Sequence, residues 1–411
     1  LNILFLTQFY WPEVRTAPLN LSALAEDLQK GGHQITVITG FPNHPFGRVY
    51  EGYRMSVWMK EDKGGVKIIR LPLFPDHSLS LVRRAINYCS FALSATFLGT
   101  WLTRKAQFDA IFAYLPPLTI GLPVSLLSHL HSAPIVYWMT DLWPENLFAS
   151  GAAMKFPMYK VIRWVENQVY NSGKTISVNS PGFVNNLIKK GVPPEKIEIV
   201  TDWADENVFS PVEYDQELAE TFGLAGKFNV MYGGNIGKVQ GLEVMLEAAK
   251  RTKEKTDIQF VLIGDGTELD SLKSLKTRYG IQNILFIPRQ PLEQMRQFFA
   301  IANVLLVHLN REPVFEMQLP SKIIAYMACG RPVLCAMHGE ARKMIEQGGA
   351  GLCCPSEDPD ALSALVSKFY DMPLATREEM GRNAREVYLK NYTRQIQVDR
   401  VERLLMKAAG T

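Results

Sequence analysis

Two strand-to-helix junctions in the later half of the chain carry residues suited to holding an anion. The first reads Val230-Met-Tyr-Gly-Gly-Asn-Ile-Gly-Lys-Val-Gln-Gly241. Gly234 and Gly237, with Asn235 between them, let backbone N–H groups approach a phosphate closely, and the N-terminus of a following helix favours negative charge. Lys238 adds a point charge. The spacing matches neither a Walker loop nor the dinucleotide fingerprint, so a tight strand–helix turn is the competing reading. The second junction reads Pro320-Ser-Lys-Ile-Ile-Ala-Tyr-Met-Ala-Cys-Gly330. Pro320 and Ser321 open a helix there. Lys322 then falls in its first turn, against the helix dipole. A bound anion would offset that cost, and a solvated lysine on a helix face is the simpler alternative.

Carboxylates, cations and imidazoles fall near these junctions and in the earlier half. Asp141 follows the apolar run Ile135–Met139. At a strand end it would orient an acceptor hydroxyl or take its proton, or else cap the next turn. Glu316, preferred over Glu312, lies in the loop before Pro320, where its carboxylate could bind a hydroxyl. Arg289 follows the run ending at Ile287 and is either a cation for a leaving anion or a surface arginine. His44 sits in a loop after a strand on the acceptor side. His33 reads as a cap or core residue, and His308 ends a strand in either a site or a packing role. No group of residues has metal-ligand spacing.

The elements that would position these residues alternate. Ile3–Thr7 is a short apolar run. A helical stretch from about Asn20 to Lys30 follows, with Leu21, Leu24, Ala25 and Leu28 at helical spacing. Ile35–Thr39 is a second buried strand after Gly31-Gly32. A βαβ unit implies a parallel sheet with helices on its faces. Further strands are expected at Ile68–Leu71, Ala110–Tyr114, Ile135–Met139, Thr175–Val178 and Ile197–Val200, and a linker from Pro211 to Glu220. The pattern restarts with strands at Phe228–Tyr232, Phe260–Ile263, Ile284–Ile287, Val304–Val307, Pro332–Ala336 and Gly351–Cys353. Two such series predict an α/β chain of two Rossmann-like doubly wound domains. Ligands would bind beyond the carboxyl ends of the strands, in a central cleft that the two domains face. Residues 1–207 form the expected acceptor-side domain and 208–389 the donor-side domain.

Composition agrees with this. The 411 residues are too many for one core, and 47% apolar with 21% charged residues is ordinary for a globular chain. A formal charge of +3 argues against nucleic acid as a partner. Cys89, Cys329, Cys335, Cys353 and Cys354 fit neither a zinc site nor a disulfide framework, as expected of reduced thiols in the cytoplasm. The opening residues LNILFLTQFYWPE read as a strand rather than a leader.

Ala85 to Thr103 carries no charge and is flanked by Arg83 and Arg84 before it, and Arg104 and Lys105 after it. The length could span a bilayer. A span would, however, put strands of one sheet on opposite sides of the membrane. An interfacial helix with basic flanks facing anionic headgroups fits better, and a buried helix is the alternative. Tyr88, Phe91, Ala95, Leu98 and Leu102 form the expected membrane stripe, extended by Phe97 and Trp101.

The pieces Gly-Asn-Ile-Gly-Lys-Val-Gln-Gly (234–241), Leu-Pro-Ser-Lys (319–322), Tyr-Met-Ala-Cys-Gly-Arg-Pro-Val (326–333) and Gly-Gly-Ala-Gly-Leu (348–352) resemble the C-terminal half of retaining glycosyltransferase family four. Tyr10-Trp11-Pro12-Glu13, Gly32-His33, Phe41 to Gly47, Tyr50-Glu51-Gly52-Tyr53 and Asp141-Leu142-Trp143-Pro144-Glu145 are similar to a bacterial subgroup of capsule, O-antigen and colanic-acid-type transferases, including N-acetyl-L-fucosamine transferases. The resemblance spans nearly the whole chain. It implies a GT-B fold, no cofactor and no required metal. It also implies transfer with retention from a nucleotide-diphosphate sugar, UDP before GDP, to a polyprenyl-diphosphate-linked saccharide at the inner face of the cell membrane. Donor binding would fall to Gly234, Asn235, Gly237, Lys238, Arg289, Pro320, Ser321 and Lys322. Asp141, Glu316 and Lys322 would be catalytic, and Glu13, Arg15, Thr16 and His44 would lie on the acceptor side. A helix from about 390 would pack back on the first domain.

Three departures stand out. The early loop reads Val14-Arg15-Thr16-Ala17-Pro18 where relatives often carry a glycine pair. Asn235 and Gln240 occupy loop positions that often hold Arg and Lys. Met317 and Ala325 stand where two glutamates are usual. A sugar-nucleotide epimerase of the same fold and a non-catalytic nucleotide-binding protein are the competing functions.

Overall fold

The computed structural model describes residues 1–14, 16–78, 80–146 and 156–411. The chain divides into two compact units, Leu1–Asp202 with Gln397–Thr411, and Trp203–Ile396. The first contains strands β1 Asn2–Leu6, β2 Gln34–Gly40, β3 Met59–Lys63, β4 Val66–Leu71, β5 Ala110–Leu115, β6 Ile135–Met139, β7 Thr175–Val178 and β8 Ile197–Ile199. Their order is β3-β4-β2-β1-β5-β6-β7-β8. β5 and β6 are buried at every position, which is what a parallel sheet covered on both faces demands of its sequence.

β3 was not expected, and it pairs antiparallel with β4. Its sequence, Met-Lys-Glu-Asp-Lys, has no apolar run to detect. It forms because Gly64 and Gly65 turn the chain at positive φ and because an edge strand tolerates charge. Arg70 of β4 is fully buried. It pairs with Glu61 of β3 and donates to the carbonyls of Trp11 at 2.7 Å and Gly40 at 3.3 Å.

The uncharged segment from residue 85 forms a continuous rod. It comprises a helix Leu81–Ser94 capped by Ser80, a π-helical turn Ala95–Gly99 and a helix Thr100–Thr103. The stripe expected to meet a membrane is largely the face laid on the sheet. Phe91 and Ala95 are fully buried, whereas Val82, Ile86, Leu93, Phe97 and Trp101 are exposed. Leu98 is half-buried. Both faces of the rod are apolar, so periodicity could not tell which one the sheet would take. Arg83 pairs with Asp76 at 2.7 Å, Arg84 reaches the Tyr88 hydroxyl at 3.4 Å, and the Arg104 guanidinium lies 4.7 Å from the Trp101 ring centroid. Among the described residues no helix is long and apolar enough to cross a membrane.

The second unit contains β9 Phe228–Gly233, β10 Ile258–Ile263, β11 Ile284–Ile287, β12 Val304–His308, β13 Val333–Ala336 and β14 Gly351–Cys354. All are parallel, in the order β11-β10-β9-β12-β13-β14. The order reverses between β9 and β12, and ligands bind at such a switch point, outside the carboxyl ends. Those ends are Gly233 and His308. Part of the segment read as a linker is a helix, Gln216–Thr221, started by Asp215, whose carboxylate accepts from the Leu218 N–H at 2.9 Å.

The final helix, Arg394–Ala409, crosses the division of the chain at Gln397. In the first unit the fully buried Gln397 accepts from the Thr201 N–H at 3.1 Å, and Glu402 meets His33 at 2.8 Å. His33 is thus tied down structurally. Replacing Gln397 by Leu leaves the Thr201 N–H without its acceptor and should cost about 1–3 kcal/mol. The check is chemical denaturation followed through the first unit's transition.

Candidate active site

In the second unit the groups expected to hold an anion converge at the switch point. Gly234 leaves β9 at φ 142°. A second loop, Gly264-Asp265-Gly266, lies directly against it. A Cβ on Gly264 would come within 1.9 Å of the Gly234 carbonyl oxygen, and one on Gly266 within 2.2 Å of the Ile236 oxygen. Both glycines are therefore required by close backbone approach. They went unnoticed in the sequence because they follow a different strand.

The helix Ser321–Ala328 is fixed to this pole through Tyr326, whose buried hydroxyl accepts from the Gly233 N–H at 3.0 Å. Pro320 is its N-cap and supplies no side-chain acceptor, so Ser321 and Lys322 open the helix without a cap. Lys322, one turn before Tyr326, lands beside Gly234. A Cβ on Gly234 would lie 3.5 Å from the Lys322 Nζ. The ammonium donates to the Tyr232 hydroxyl and lies 3.9 Å from that ring's centroid. Among the described residues no carboxylate pairs with it. Burial alone holds its pKa down to about 7, the signature of a desolvated cation without a counter-ion. An anion arriving at Gly234 would supply one.

The other donor candidates divide. Asn235 and the Gly237 N–H both donate to the Gln240 side-chain oxygen at 3.1 Å. Gln240, one of the departures, thus shapes the loop from within, and the Gly237 amide is already engaged. Lys238 is exposed, and Arg289 is exposed two strands away from β9, beyond β11. His308 is a packing residue. Its Nδ1 donates to the Gln240 carbonyl at 2.6 Å and its Nε2 accepts from the Glu357 N–H at 2.9 Å, which fixes a neutral tautomer.

Glu316 ends the short helix Pro313–Glu316 and is exposed. It lines a small cavity with Asn310, Phe315 and His338. The His338 Nε2 is buried there with no partner among the described residues. Glu316 makes no ion pair with Lys322 among the described residues. A wider cavity of this unit opens by Asn303 and Pro332, at the amino ends of β12 and β13, and is lined by Arg331, Arg377, Arg382 and Arg385. Three of these arginines donate to the carbonyls of Ala300, Phe369 and Ala328 in the last turns of helices, which accounts for their positions.

In the first unit Asp141 stands beyond β6. Its carboxylate accepts from the Asn146 side chain at 2.7 Å. Burial raises its pKa to about 6 and the Asn146 bond opposes this. Asp202, beyond β8, was not anticipated. Burial first, and the Asp141 charge second, push it up to about 7, while Asn20 donates to it at 3.3 Å. Nothing in local sequence pairs residues 141 and 202, because only the sheet order sets them near each other. Tyr114 and Thr140 are hydrogen bonded at 2.8 Å beside them. This pair can hold one proton between two carboxylates near neutral pH.

Glu13 is buried and accepts from the N–H groups of Asn43 and His44 at 2.8 and 2.9 Å. Its second oxygen is buried without a partner among the described residues, and burial raises its pKa to about 7. It therefore clamps the 43–44 loop that presents His44, whose ring lies 4.2 Å from that of His77. Thr16 is exposed at the start of helix Thr16–Lys30, and Arg15 lies outside the described residues.

Asp202 binds its proton more tightly when folded. The penalty for ionising it is absent below about pH 4, grows as the pH rises and is complete above about 7. Asp202→Asn should therefore stabilise the first unit at pH 8, by on the order of 1–3 kcal/mol, and give no gain at pH 4. Thermal denaturation at the two pH values measures this.

Comparison with known proteins agrees with both halves. The family model "Glycosyl transferase 4-like domain" matches residues 20–203, and "Glycosyl transferases group 1" matches residues 216–387. The Escherichia coli protein WcaI, named as a colanic acid biosynthesis glycosyl transferase, is 27% identical over 89% of this chain and 91% of its own. Sucrose-phosphate synthase from Thermosynechococcus elongatus superposes with a TM-score of 0.78 at 16% identity, covering 99% of this chain and 98% of that one. Anabaena HepE in complex with UDP gives 0.74 at 17% identity, covering 99% and 100%. Two Rossmann-like units, the glycine-lined pole whose lysine has no carboxylate partner among the described residues, and family models covering both halves agree: the chain is a glycosyltransferase of the GT-B fold.

Proposed function

We propose that the protein transfers a sugar, with retention of configuration and without a metal, from a UDP-sugar to a polyprenyl-diphosphate-linked saccharide in bacterial surface polysaccharide synthesis. The observation that carries the donor half of this reading is Lys322, a desolvated ammonium beside Gly234 with no carboxylate partner among the described residues. The diphosphate would sit on the Gly234 and Asn235 backbone and the open N-terminus of the helix Ser321–Ala328. Lys322 would neutralise the charge that grows on the leaving diphosphate, with Lys238 reaching it from the loop. The UDP bound by HepE supports the choice of nucleotide, and the name of WcaI supports polysaccharide assembly. An N-acetylated deoxy sugar such as N-acetyl-L-fucosamine rests on the subgroup resemblance, and Glu316 is assigned to its hydroxyls.

In the acceptor half, Asp141 takes the proton of the attacking hydroxyl. Burial keeps its pKa high enough for the proton to be accepted near neutrality, and the loop of Glu13 and His44 lines the saccharide's approach. The enzyme works in the cytoplasm as a peripheral protein on the inner face of the membrane, held through 85–103.

Binding a diphosphate should return Lys322 towards its ordinary pKa of 10.5. UDP binding at pH 8 is then expected to take up about one proton. Calorimetry in buffers of differing ionisation enthalpy reads this directly. Lys322→Ala should abolish the uptake and weaken UDP by roughly 10- to 100-fold. Unchanged affinity removes Lys322 from the site, and tighter binding of GDP overturns the choice of base. The transfer rate should rise with pH as Asp141 ionises near 6. Asp141→Asn should remove that limb, which a pH–rate profile with a lipid-diphosphate acceptor will show.

A further inference from the structure

Three helices of the first unit expose apolar stripes. On the rod 81–103 the stripe is Val82, Ile86, Leu93, Phe97 and Trp101, with Phe97 70% exposed. On the helix Gly121–His131 it is Leu122, Leu126 and Leu130, with Leu122 59% exposed. On the helix Phe156–Ser172 it is Met158, Val161 and Trp164, with Trp164 63% exposed. Each set recurs at three-, four- or seven-residue spacing, so it occupies one side of its helix. The helix Gly121–His131 packs against both of the others. A chain that hides Phe91, Val124 and Leu127 beneath these helices has left their outer sides apolar.

Charge identifies the occupant. No Asp or Glu lies between Asp76 and Asp109, or between Asp109 and Asp141. The first carboxylate of the helix Phe156–Ser172 is Glu166, which is fully buried and paired with Arg163 and, at 2.7 Å, with Lys190. Cations do flank the stripes: Arg84, Arg104 and Lys105 on the rod and Lys160 on the third helix, with Arg83 and Arg163 beside them paired to Asp76 and Glu166. A second copy of the chain would bring these cations against their own kind. Anionic headgroups match them, and Trp101 and Trp164 suit the boundary between headgroup and acyl chain.

We infer that these three helices together form one docking face for an anionic phospholipid bilayer. This rests on the membrane reading of 85–103 and extends it to two helices outside that segment. Sedimentation with phosphatidylcholine vesicles, with and without phosphatidylglycerol, tests it. The wild-type chain should bind the mixed vesicles and bind phosphatidylcholine alone poorly. Leu126→Gln and Trp164→Gln should each lower binding at least about fivefold, as Phe97→Gln does, while keeping the thermal shift with UDP that shows them folded. Spin-labelled lipid should quench wild-type tryptophan fluorescence, with the quenching reduced in Trp164→Phe. Normal binding by the Leu126 and Trp164 variants alongside loss in Phe97→Gln overturns the three-helix face and leaves the 85–103 reading standing. Failure of the wild-type chain to bind any vesicle overturns both, and UDP affinity then judges the transferase reading separately. A dimer that Leu126→Gln dissociates would assign the face to a second copy and overturn the proposal.

Discussion

One unpaired charge organises the second unit. Lys322 is carried on a helix whose Tyr326 hydroxyl bonds the end of β9, and its ammonium is held against the Tyr232 hydroxyl and ring. Gly234 carries the chain away from β9 at φ 142°, Gly233 makes room for Phe299 and Met295, and Gly264 and Gly266 let the neighbouring loop close in behind. A cation in such a place is costly until an anion arrives. The donor pole is thus held in a state that a diphosphate would relieve, and the glycines, tyrosines and uncapped helix all serve that placement.

The first unit stores the opposite charge in a similar way. Asp141 and Asp202 are brought beyond the carboxyl ends of β6 and β8; burial raises the proton affinity of both, and the Asp141 charge raises that of Asp202 further. Their hydrogen-bond donors are neutral amides, Asn146 and Asn20, and no cation partners them among the described residues. An arginine there would have stabilised the fold and held both carboxylates ionised. Its absence among the described residues leaves a pair tuned to exchange a proton near neutral pH. Arg70 is placed elsewhere, binding β3 to the loops at Trp11 and Gly40.

The outer helices of the first unit show how one composition serves two purposes. Phe91 and Ala95 fill the core while Phe97 and Trp101, on the same rod, face outwards. The π-helical turn Ala95–Gly99, which contains both Ala95 and Phe97, adds a residue to the helical repeat.

Much of this was legible in the residues. Buried parallel strands must be apolar, so nearly every strand could be located, and glycine–lysine junctions after two of them marked the anion pole. The charged edge strand β3 escaped because it lacks an apolar run and exists through pairing with β4. Gln240 read as a missing cation and proved to be the acceptor that shapes the loop. Asp202 and the glycines at 264 and 266 carried no local signal, since what makes them matter is a neighbour more than twenty-five residues away. The sequence by itself determined the alternation of strands and helices and the chemical types available at each junction, because burial and turn chemistry are local demands. Only the tertiary structure decided that Lys322 lies beside Gly234, that Asp202 feels the charge of Asp141 and that Phe91 faces inwards. Strand order and helix rotation are settled by packing over the whole unit, and no short stretch of chain records them.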